Sequence, residues 1–326
     1  MRLINDGHTD ACFNLAAEEY VFEHFPERCF MLWCNEPAIV VGRHQNALAE
    51  VNVEYVRRNG IKVVRRLSGG GAVYHDAGNL NFTFIERQDT GQTVDFSRFS
   101  APIIALLREK GVEAEIGKRD ELSVNGAKIS GVAKHVSRGR ILYHGTLLFS
   151  GNLTALTEAL RTAPGKFSDK AIPSVRSKVG NISEYLSPPT DVAQFRAAVF
   201  AYMLRHLPHA REYSYSEADL TAVRQLRDEK YARWEWNFGQ SPPYAMTRSV
   251  ALDGKTFSAS LNVRQGIIRQ IRFEGPFPEN SLKTLAQLLL NTPHRQDAIR
   301  SKLTSSRLTD PFRNNIDAVL EAMNGL

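Results

Sequence analysis

The chain has 326 residues, 43% hydrophobic and 23% charged, which is typical of a globular protein of about two domains. No apolar stretch reaches the roughly 18 residues that predict a membrane span, and the N-terminus lacks the pattern of a secretory signal. Three cysteines, Cys12, Cys29 and Cys34, are too few for a disulfide framework, so we expect a reducing, cytoplasmic setting. The net charge of +6 favours acidic partners without distinguishing a nucleotide, a nucleic acid or a protein.

The first two thirds of the chain are predicted to combine short strands with a few helices. Predicted helices cover residues 14–22, 51–58, 97–110, 153–161 and 192–207, and predicted strands cover 30–33, 38–41, 61–64, 72–74, 80–85 and 141–149. Asn125-Gly126 predicts a hairpin turn. Strand pairs with tight turns favour an α+β fold with a mixed, mostly antiparallel sheet over a doubly wound parallel sheet.

A domain boundary is predicted near Pro242-Pro243, since consecutive prolines interrupt regular structure. Three short strand-like segments and one apolar helix follow, at residues 249–252, 256–263, 267–273 and 280–290. Asp253-Gly254 and Gln265-Gly266 are predicted to form the turns between the three strands. We therefore predict a large domain over residues 1–240 and a small α+β domain over residues 241–326.

Ser68-Gly69-Gly70-Gly71 is the densest chemical signal, because three glycines let a backbone approach a ligand closely and form an anion-binding concavity. Arg65 and Arg66 stand directly before it and offer bidentate donors for a phosphate. The segment has neither the ending of a P-loop nor the spacing of a dinucleotide fingerprint. From the residues alone, an ordinary glycine turn flanked by solvated arginines is an equally good interpretation.

Lys128 follows the predicted hairpin turn and can project into a cleft, where it would pair with developing phosphate charge. A lysine beside a turn is more often solvated, so the residue type alone favours a solvent-exposed lysine with no role in catalysis. Asp120 and Glu121 precede it and can hold Mg²⁺ or ribose hydroxyls, although two surface acids are the commoner reading. The metal ligands are therefore left unassigned.

Two further segments carry polar residues in suggestive places. His144 is interpreted as a buried strand histidine rather than a proton carrier, with Gly145 and Thr146 as candidate pocket walls. Gly145 can equally serve only to allow close backbone approach. Arg176 and Lys178 lie on one face if their segment is extended, and can hold a polyphosphate or an acidic partner.

These motifs, in this order, resemble the lipoate-protein ligase family. The matching stretches are residues 65–76 (RRLSGGGAVYHD), 78–82 (GNLNF), 126–131 (GAKISG), 144–148 (HGTLL) and 174–177 (SVRS). The resemblance is strong over residues 1–185, and residues 234–240 resemble the end of the large domain in ligases with an accessory domain. Two positions depart from the family pattern: Asp120-Glu121 replaces Asn-Asp, which puts metal or ribose contacts there in doubt, and Tyr143 replaces a histidine of some relatives.

The resemblance implies a fold shared with biotin ligases and related to class II aminoacyl-tRNA synthetase cores. It implies an enzyme that activates lipoic acid with ATP and Mg²⁺ to lipoyl-AMP, then transfers the lipoyl group to a lysine of a carrier domain. The implied carriers are the lipoyl domains of 2-oxoacid dehydrogenase E2 subunits and the glycine cleavage H protein. No nucleic acid or membrane partner is expected.

The resemblance also implies residue roles. Lys128 matches the catalytic lysine that binds the lipoyl carbonyl and the α-phosphate. The positions implied in nucleotide or adenylate binding are Arg66, Ser68, Gly69, Gly70, Gly71, Ala72, Val73, Tyr74, His75, Lys128, Gly145 and Thr146.

Three other functions are open to test. An acyl transferase moving octanoyl groups would need a cysteine nucleophile, yet all three cysteines precede Gly42, ahead of every motif. A transferase that uses preformed lipoyl-AMP is a second alternative. A nucleic-acid-binding protein is a third, disfavoured because the basic residues are scattered and not interleaved with aromatics.

Overall fold

The computed structural model describes residues 1–88, 94–161, 166–175, 177–305 and 310–326. These residues form two compact units, each built from separate stretches of the chain. Unit 1 comprises Met1–Arg43, Lys62–Thr157 and Ser174–Arg233, and unit 2 comprises His44–Ile61, Glu158–Pro173 and Trp234–Leu326.

Strands and helices alternate along the chain. The strands are β1 (Arg2–Asn5), β2 (Cys29–Cys34), β3 (Ala38–Val41), β4 (Lys62–Arg65), β5 (Val73–His75), β6 (Asn79–Arg87), β7 (Glu115–Ile116), β8 (Leu122–Val124), β9 (Ala127–Ser130), β10 (Val132–Ser137), β11 (Arg140–Leu148), β12 (Lys166–Asp169), β13 (Arg211–Glu212), β14 (Tyr244–Leu252), β15 (Lys255–Arg264) and β16 (Ile267–Glu274). The helices are α1 (Ala11–His24), α2 (Ala47–Glu50), α3 (Val53–Arg58), α4 (Ser97–Glu109), α5 (Leu153–Leu160), α6 (Val192–His206), α7 (Glu217–Leu226), α8 (Trp234–Asn237), α9 (Glu279–Leu289), α10 (Gln296–Ser305), α11 (Asp310–Arg313) and α12 (Ile316–Met323). A 3₁₀ turn covers Ile182–Tyr185 and a π-helical turn covers Arg227–Tyr231.

The main sheet of unit 1 has six strands in the order β10-β11-β6-β2-β1-β13. β1 runs parallel to β2 and to β13, whereas the other pairs are antiparallel, so the sheet is mixed and mostly antiparallel. Its core includes Phe30, Phe82, Phe84 and Tyr143, and α4 and α6 contribute apolar residues to it. The predicted fold class is confirmed.

Two small sheets of unit 1 carry the motif segments. One has the order β4-β3-β5 and the other the order β7-β8-β9. The glycine-rich segment connects β4 to β5, and the predicted hairpin at Asn125-Gly126 joins β8 to β9. β5 and β6, although joined by a tight turn, belong to different sheets. The turn at residues 76–79 is therefore a corner between two sheets and not a hairpin.

The sheet of unit 2 has the order β12-β14-β15-β16, and all of its strands are antiparallel. The predicted turns at Asp253-Gly254 and Gln265-Gly266 are confirmed, with positive φ at all four residues. The prediction of one helix for this region was wrong, since α10, α11 and α12 follow α9. They were missed because each is short and α10 buries only Ile299 and Leu303, too few for a clear helical period.

The fourth strand, β12, comes from the middle of the chain and was not predicted. Its four residues, Lys166–Asp169, are too few for an alternating pattern to be recognised. Among the helices of the described ranges, none is long and apolar enough to cross a membrane.

Candidate active site

The glycine-rich segment is held by the side chain of Arg66, which is 5% exposed. Its Nη2 donates to the carbonyl oxygens of Gly69, at 2.5 Å, and Gly71, at 2.9 Å, while Nη1 donates to Val40. Nε donates to Ser68 Oγ at 2.9 Å. Burial lowers the pKa of Arg66 to about 10, which still leaves the guanidinium charged at neutral pH. Arg66 therefore acts as an internal brace for the loop.

Fixing the loop carbonyls also fixes the loop N–H groups, because a trans peptide points its N–H away from its own carbonyl. The N–H of Gly70 consequently points away from Arg66. Gly70 is exposed, has φ of +88°, and its N–H has no acceptor among the residues that the structure describes. An exposed N–H beside a buried cation is suited to bind an anion.

Gly42 makes this loop conformation sterically possible. A Cβ built on Gly42 would lie 2.0 Å from the carbonyl oxygen of Gly70. Arg65, fully buried, donates from Nη1 to the carbonyl oxygens of Gly42 and Arg43, at 2.9 and 3.3 Å. Burial lowers the pKa of Arg65 to about 10. Sequence reasoning missed Gly42, because only the folded chain brings it against the loop.

A buried hydrogen-bonded network lies behind the loop. Ser68 Oγ is 2.6 Å from His144 Nε2, and His144 Nδ1 is 2.8 Å from Glu18 Oε1. Thr83 Oγ1 donates to the same oxygen of Glu18 at 2.7 Å. His144 is thus a buried strand histidine, as predicted, but it is bonded to the loop. Glu18 lies on α1, and no pattern in the sequence indicated that it belongs to this network.

Lys128 lies on β9 and is half-buried. A Cβ built on Gly131 would lie 3.0 Å from Lys128 Nζ, so the side chain crosses the space that this glycine leaves open. Nζ makes no hydrogen bond or ion pair with any described residue. Burial lowers the pKa of Lys128, Glu121 opposes this shift, and Arg119 and Arg66 add to it. A half-buried ammonium without a counter-ion is suited to receive an anionic ligand.

The segment that follows Pro173 joins the glycine loop to the strand of Lys128. Ala72 N donates to Ser174 Oγ at 2.8 Å, while the backbones of Lys128 and Lys178 are joined by a hydrogen bond of 2.8 Å. A Cβ on Gly70 would lie 3.9 Å from Ala133 Cβ, just beyond β9. All four predicted segments are therefore neighbours in unit 1. Arg176 lies outside the described residues.

The remaining predicted residues have distinct surroundings. Ala72 and Tyr74 are buried, and Val73 is half-buried. Val73 and Tyr74 lie on β5. Thr146 Oγ1 accepts a hydrogen bond from Gly131 N at 3.1 Å, beside Lys128. A Cβ on Gly145 would lie 2.6 Å from Phe82 Cζ, which supports the alternative interpretation of this glycine as a packing position.

His75 presents a buried polar atom that has no hydrogen-bond partner among the described residues. Its Nδ1 accepts from Asn35 Nδ2 at 3.0 Å, because Asn35 Oδ1 already accepts from Asn14 Nδ2. The proton is therefore on Nε2, which is buried and has no acceptor within the described part of the chain. Ser130 Oγ, next to Lys128 in sequence, is likewise buried and unpartnered. Unsatisfied buried donors of this kind are unusual and are consistent with ligand contacts.

We expect His75 to make the fold acid-sensitive. Burial, together with Arg66 and His144, lowers its pKa to about 3, far below the usual value near 6.5. Between these values only the unfolded chain binds the proton, so His75 stabilises the fold fully above about pH 6.5 and progressively less as the pH falls towards 3. His75→Asn should flatten the loss of stability between pH 6 and 4 by up to about 1.4 kcal/mol per pH unit. Urea unfolding at several pH values measures this, and an unchanged slope would contradict it.

A metal site is not evident at the two candidate acids. Asp120 Oδ2 lies 3.6 Å from Lys134 Nζ, and Glu121 Oε2 accepts from Arg119 N at 2.7 Å. Within the described ranges, no group of three or more His, Cys, Asp or Glu side chains is arranged to hold a metal ion. Tyr143, the other departure from the family pattern, is buried with its hydroxyl 2.6 Å from Ser100 Oγ.

The three cysteines are buried and unsuited to nucleophilic catalysis. Burial raises the pKa of Cys12 to about 11 and of Cys29 to about 12, and it also raises the pKa of Cys34. At pH 8, only about one Cys12 in a thousand is then a thiolate. We expect iodoacetamide at pH 8 to leave activity intact, in an assay with a thiol-dependent enzyme as positive control. Rapid inactivation would instead support the alternative function, an acyl transferase with a cysteine nucleophile.

Comparison with known proteins gives matches over most of the chain. A model of the lipoyl protein ligase A/B catalytic domain matches residues 10–204, and a model of the bacterial lipoate protein ligase C-terminus matches residues 241–322. Lipoate-protein ligase LplJ of Bacillus subtilis is 37% identical over 319 residues, which cover 95% of each chain.

Solved structures show the same fold. A bipartite lipoate protein ligase from Thermoplasma acidophilum, studied with its E2 lipoyl domain, aligns with a TM-score of 0.63 and 27% identity over 73% of this chain and 96% of that one. Lipoate-protein ligase A bound with ATP aligns with a TM-score of 0.62 and 25% identity over 73% and 98%. With the catalytic and C-terminal models both matched and the Bacillus relative aligned almost end to end, this chain belongs to the lipoate-protein ligase family.

Proposed function

We propose that this enzyme condenses lipoate with ATP to give lipoyl-AMP and pyrophosphate, and then transfers the lipoyl group to a lysine of a carrier domain. The observation that carries the proposal is the half-buried ammonium of Lys128, which has no ion-pair partner among the described residues, together with the exposed N–H of Gly70 on the glycine loop. These groups offer positive charge and a hydrogen-bond donor at one place, which a phosphate ester requires. The relative bound with ATP supports the same assignment.

In the first half-reaction, a lipoate carboxylate oxygen attacks the α-phosphorus and pyrophosphate leaves. Negative charge accumulates on the phosphoryl oxygens, where Lys128 and the Gly70 N–H offset it. Arg66 contributes by holding the loop carbonyls and through its buried positive charge. His75 Nε2 and Ser130 Oγ, which have donors to offer, are proposed to contact the ligands.

In the second half-reaction, the carrier's lysine amine attacks the activated carbonyl and AMP leaves. Lys128 stabilises the carbonyl oxygen as it becomes anionic. We propose lipoyl domains of 2-oxoacid dehydrogenase E2 subunits and the glycine cleavage H protein as carriers. The Thermoplasma relative, studied with an E2 lipoyl domain, supports the first of these.

Mg²⁺ is proposed to enter bound to the phosphates of ATP, where it would neutralise their charge. Asp120 and Glu121 do not fit a preformed site, because one faces Lys134 and the other accepts a backbone hydrogen bond. No protein ligand is therefore assigned to the ion. The division into a catalytic domain over residues 1–240 and an accessory domain over 241–326, and the cytoplasmic location, stay predictions.

Lipoate-dependent exchange of labelled pyrophosphate into ATP tests the proposal. Exchange that requires lipoate would establish the activating half-reaction. No exchange, with transfer from supplied lipoyl-AMP intact, would instead identify a transferase that depends on another activating enzyme. Omitting lipoate provides the matched control for ATP turnover unrelated to the acid.

A further inference from the structure

Residues 169–174 lead into the contact between Ser174 and the glycine loop, and we call them the strap. Ser174 Oγ accepts a hydrogen bond from Ala72 N at 2.8 Å. A Cβ built on Gly71 would lie 3.0 Å from Ser174 Oγ and 3.2 Å from its Cα, so the missing side chain at Gly71 lets the strap lie against the loop. The position of Ser174 therefore helps to fix the end of the glycine loop.

Two consecutive buried amides hold the strap. Gln45 is 1% exposed and Asn46 is 0% exposed. Asn46 Nδ2 donates to Asp169 Oδ2 at 2.9 Å. Gln45 Nε2 donates to the carbonyl oxygen of Ile172 at 3.2 Å. The other carboxylate oxygen of Asp169 accepts from Ala171 N at 2.9 Å, which closes a tight turn between these two fixed points.

The orientation of the Asn46 amide follows from its partner. Donation from Nδ2 to a carboxylate is favourable, whereas the flipped amide would place its oxygen against the carboxylate oxygen. In the favourable orientation, Asn46 Oδ1 is buried and has no hydrogen-bond partner among the described residues. Burying an unpaired amide oxygen costs free energy, and packing alone does not account for a polar side chain here. A role for the bond to Asp169 does account for it.

Pro173 stiffens the strap between Ile172 and Ser174. The proline ring fixes φ at residue 173, and its Cδ restricts the preceding Ile172 to an extended backbone. Few soft dihedral angles therefore separate the residue that Gln45 holds from Ser174. A displacement of the strap at its held residues is passed on to Ser174 instead of being absorbed between them.

We propose that Asn46 is a positioning residue for the activation of lipoate: through its bond to Asp169 it holds the strap, and thereby keeps Ser174 in place to accept from Ala72 N. This role rests on the proposed function, since it assigns the glycine loop to adenylate formation. Asn46 acts through Ser174 and is assigned no contact with substrate. Its loss should therefore slow activation by displacing the end of the loop.

Exchanging the two hydrogen-bond partners tests the proposal. Asn46→Asp alone sets two carboxylates against each other, so we expect kcat/KM for ATP in lipoate-dependent pyrophosphate exchange to fall about 10-fold or more, as for the loss of a charged hydrogen bond. Asn46→Asp combined with Asp169→Asn again pairs one amide donor with one carboxylate. The combined variant should recover to within about two-fold of the wild type. Circular dichroism melting of both variants measures their stability separately.

A double-mutant cycle shows whether the bond acts through Ser174. Asp169→Ala and Ser174→Ala should each lower kcat/KM for ATP, by about 3- to 10-fold. Together they should lower it no further than Ser174→Ala alone, because both changes disturb the same contact. Asp169 is exposed, so these variants decide the question even if Asn46→Asp does not fold.

Asp95→Ala is the matched control. Asp95 is also exposed and also accepts from the backbone N–H two residues later, that of Ser97, at 3.0 Å, but it does not contact the strap. Its exchange should match that of the wild type. Wild-type kcat/KM in Asp169→Ala, effects of Asp169→Ala and Ser174→Ala that multiply, or a folded combined variant that fails to recover would each overturn the proposal. Absence of exchange in the wild-type enzyme would instead refute the proposed function.

Discussion

Replacement of Lys128 by alanine should lower lipoate-dependent pyrophosphate exchange about 100- to 1000-fold, the usual effect of removing a donor that stabilises developing charge. The side chain is half-buried and makes no ion pair with the described residues, so its removal leaves no partner unsatisfied. The protein should therefore stay folded. Circular dichroism melting alongside the exchange assay separates the two effects.

Lys110→Ala is a suitable control for this experiment. Lys110 is an exposed lysine at the end of α4, so its loss makes the same change in net charge. Its exchange rate should match that of the wild type. Exchange by Lys128→Ala at the wild-type rate would remove Lys128 from the activating step. Because burial lowers the pKa of Lys128, wild-type exchange should decline with rising pH earlier than for an exposed lysine.

Gly42→Ala should be nearly as damaging, although Gly42 belongs to none of the motifs. The new Cβ would lie 2.0 Å from the Gly70 carbonyl oxygen, and both groups are backbone, so the glycine loop has to move. A displacement of about 1 Å in a group that aligns a reaction is enough to lower the rate about 100-fold. We expect this loss in the exchange assay, accompanied by weaker binding of ATP.

Gly7→Ala provides the comparison, because a Cβ on Gly7 would meet no atom within 4 Å and the residue has no positive φ. This variant should exchange pyrophosphate normally. Wild-type ATP affinity in Gly42→Ala would show that the loop tolerates displacement. The orientation assigned to the Gly70 N–H would then not contribute to the binding of ATP.

Local signals in the sequence were enough for much of the fold. Asn125-Gly126, Asp253-Gly254 and Gln265-Gly266 are dipeptides whose second residue adopts positive φ at little cost, and each joins two strands as predicted. The apolar runs before and after them fixed the neighbouring strands. The same short-range logic identified the glycine loop and placed Lys128 directly after a hairpin turn.

Features that depend on distant parts of the chain were not predictable. Glu18 lies in a helix that is buried along most of its length, and nothing local indicates that it meets a histidine 126 residues later. Arg66 was expected to face a ligand, yet four of its hydrogen bonds go to the protein itself. A short-range pattern identifies a residue type suited to phosphate, but the tertiary contacts decide what that residue actually binds.

The position of β12 in its sheet has a consequence for how the chain is made. Lys166–Asp169 pairs with Tyr244–Thr247, and that sheet is complete only when Glu274 has emerged from the ribosome. At about 5–20 residues per second, the strand waits roughly 5 to 20 seconds for its partners. During that interval its backbone donors and acceptors are open to other chains. A nascent or truncated chain that stops at residue 240 retains this unpaired strand, and we therefore expect it to aggregate more readily than the full chain.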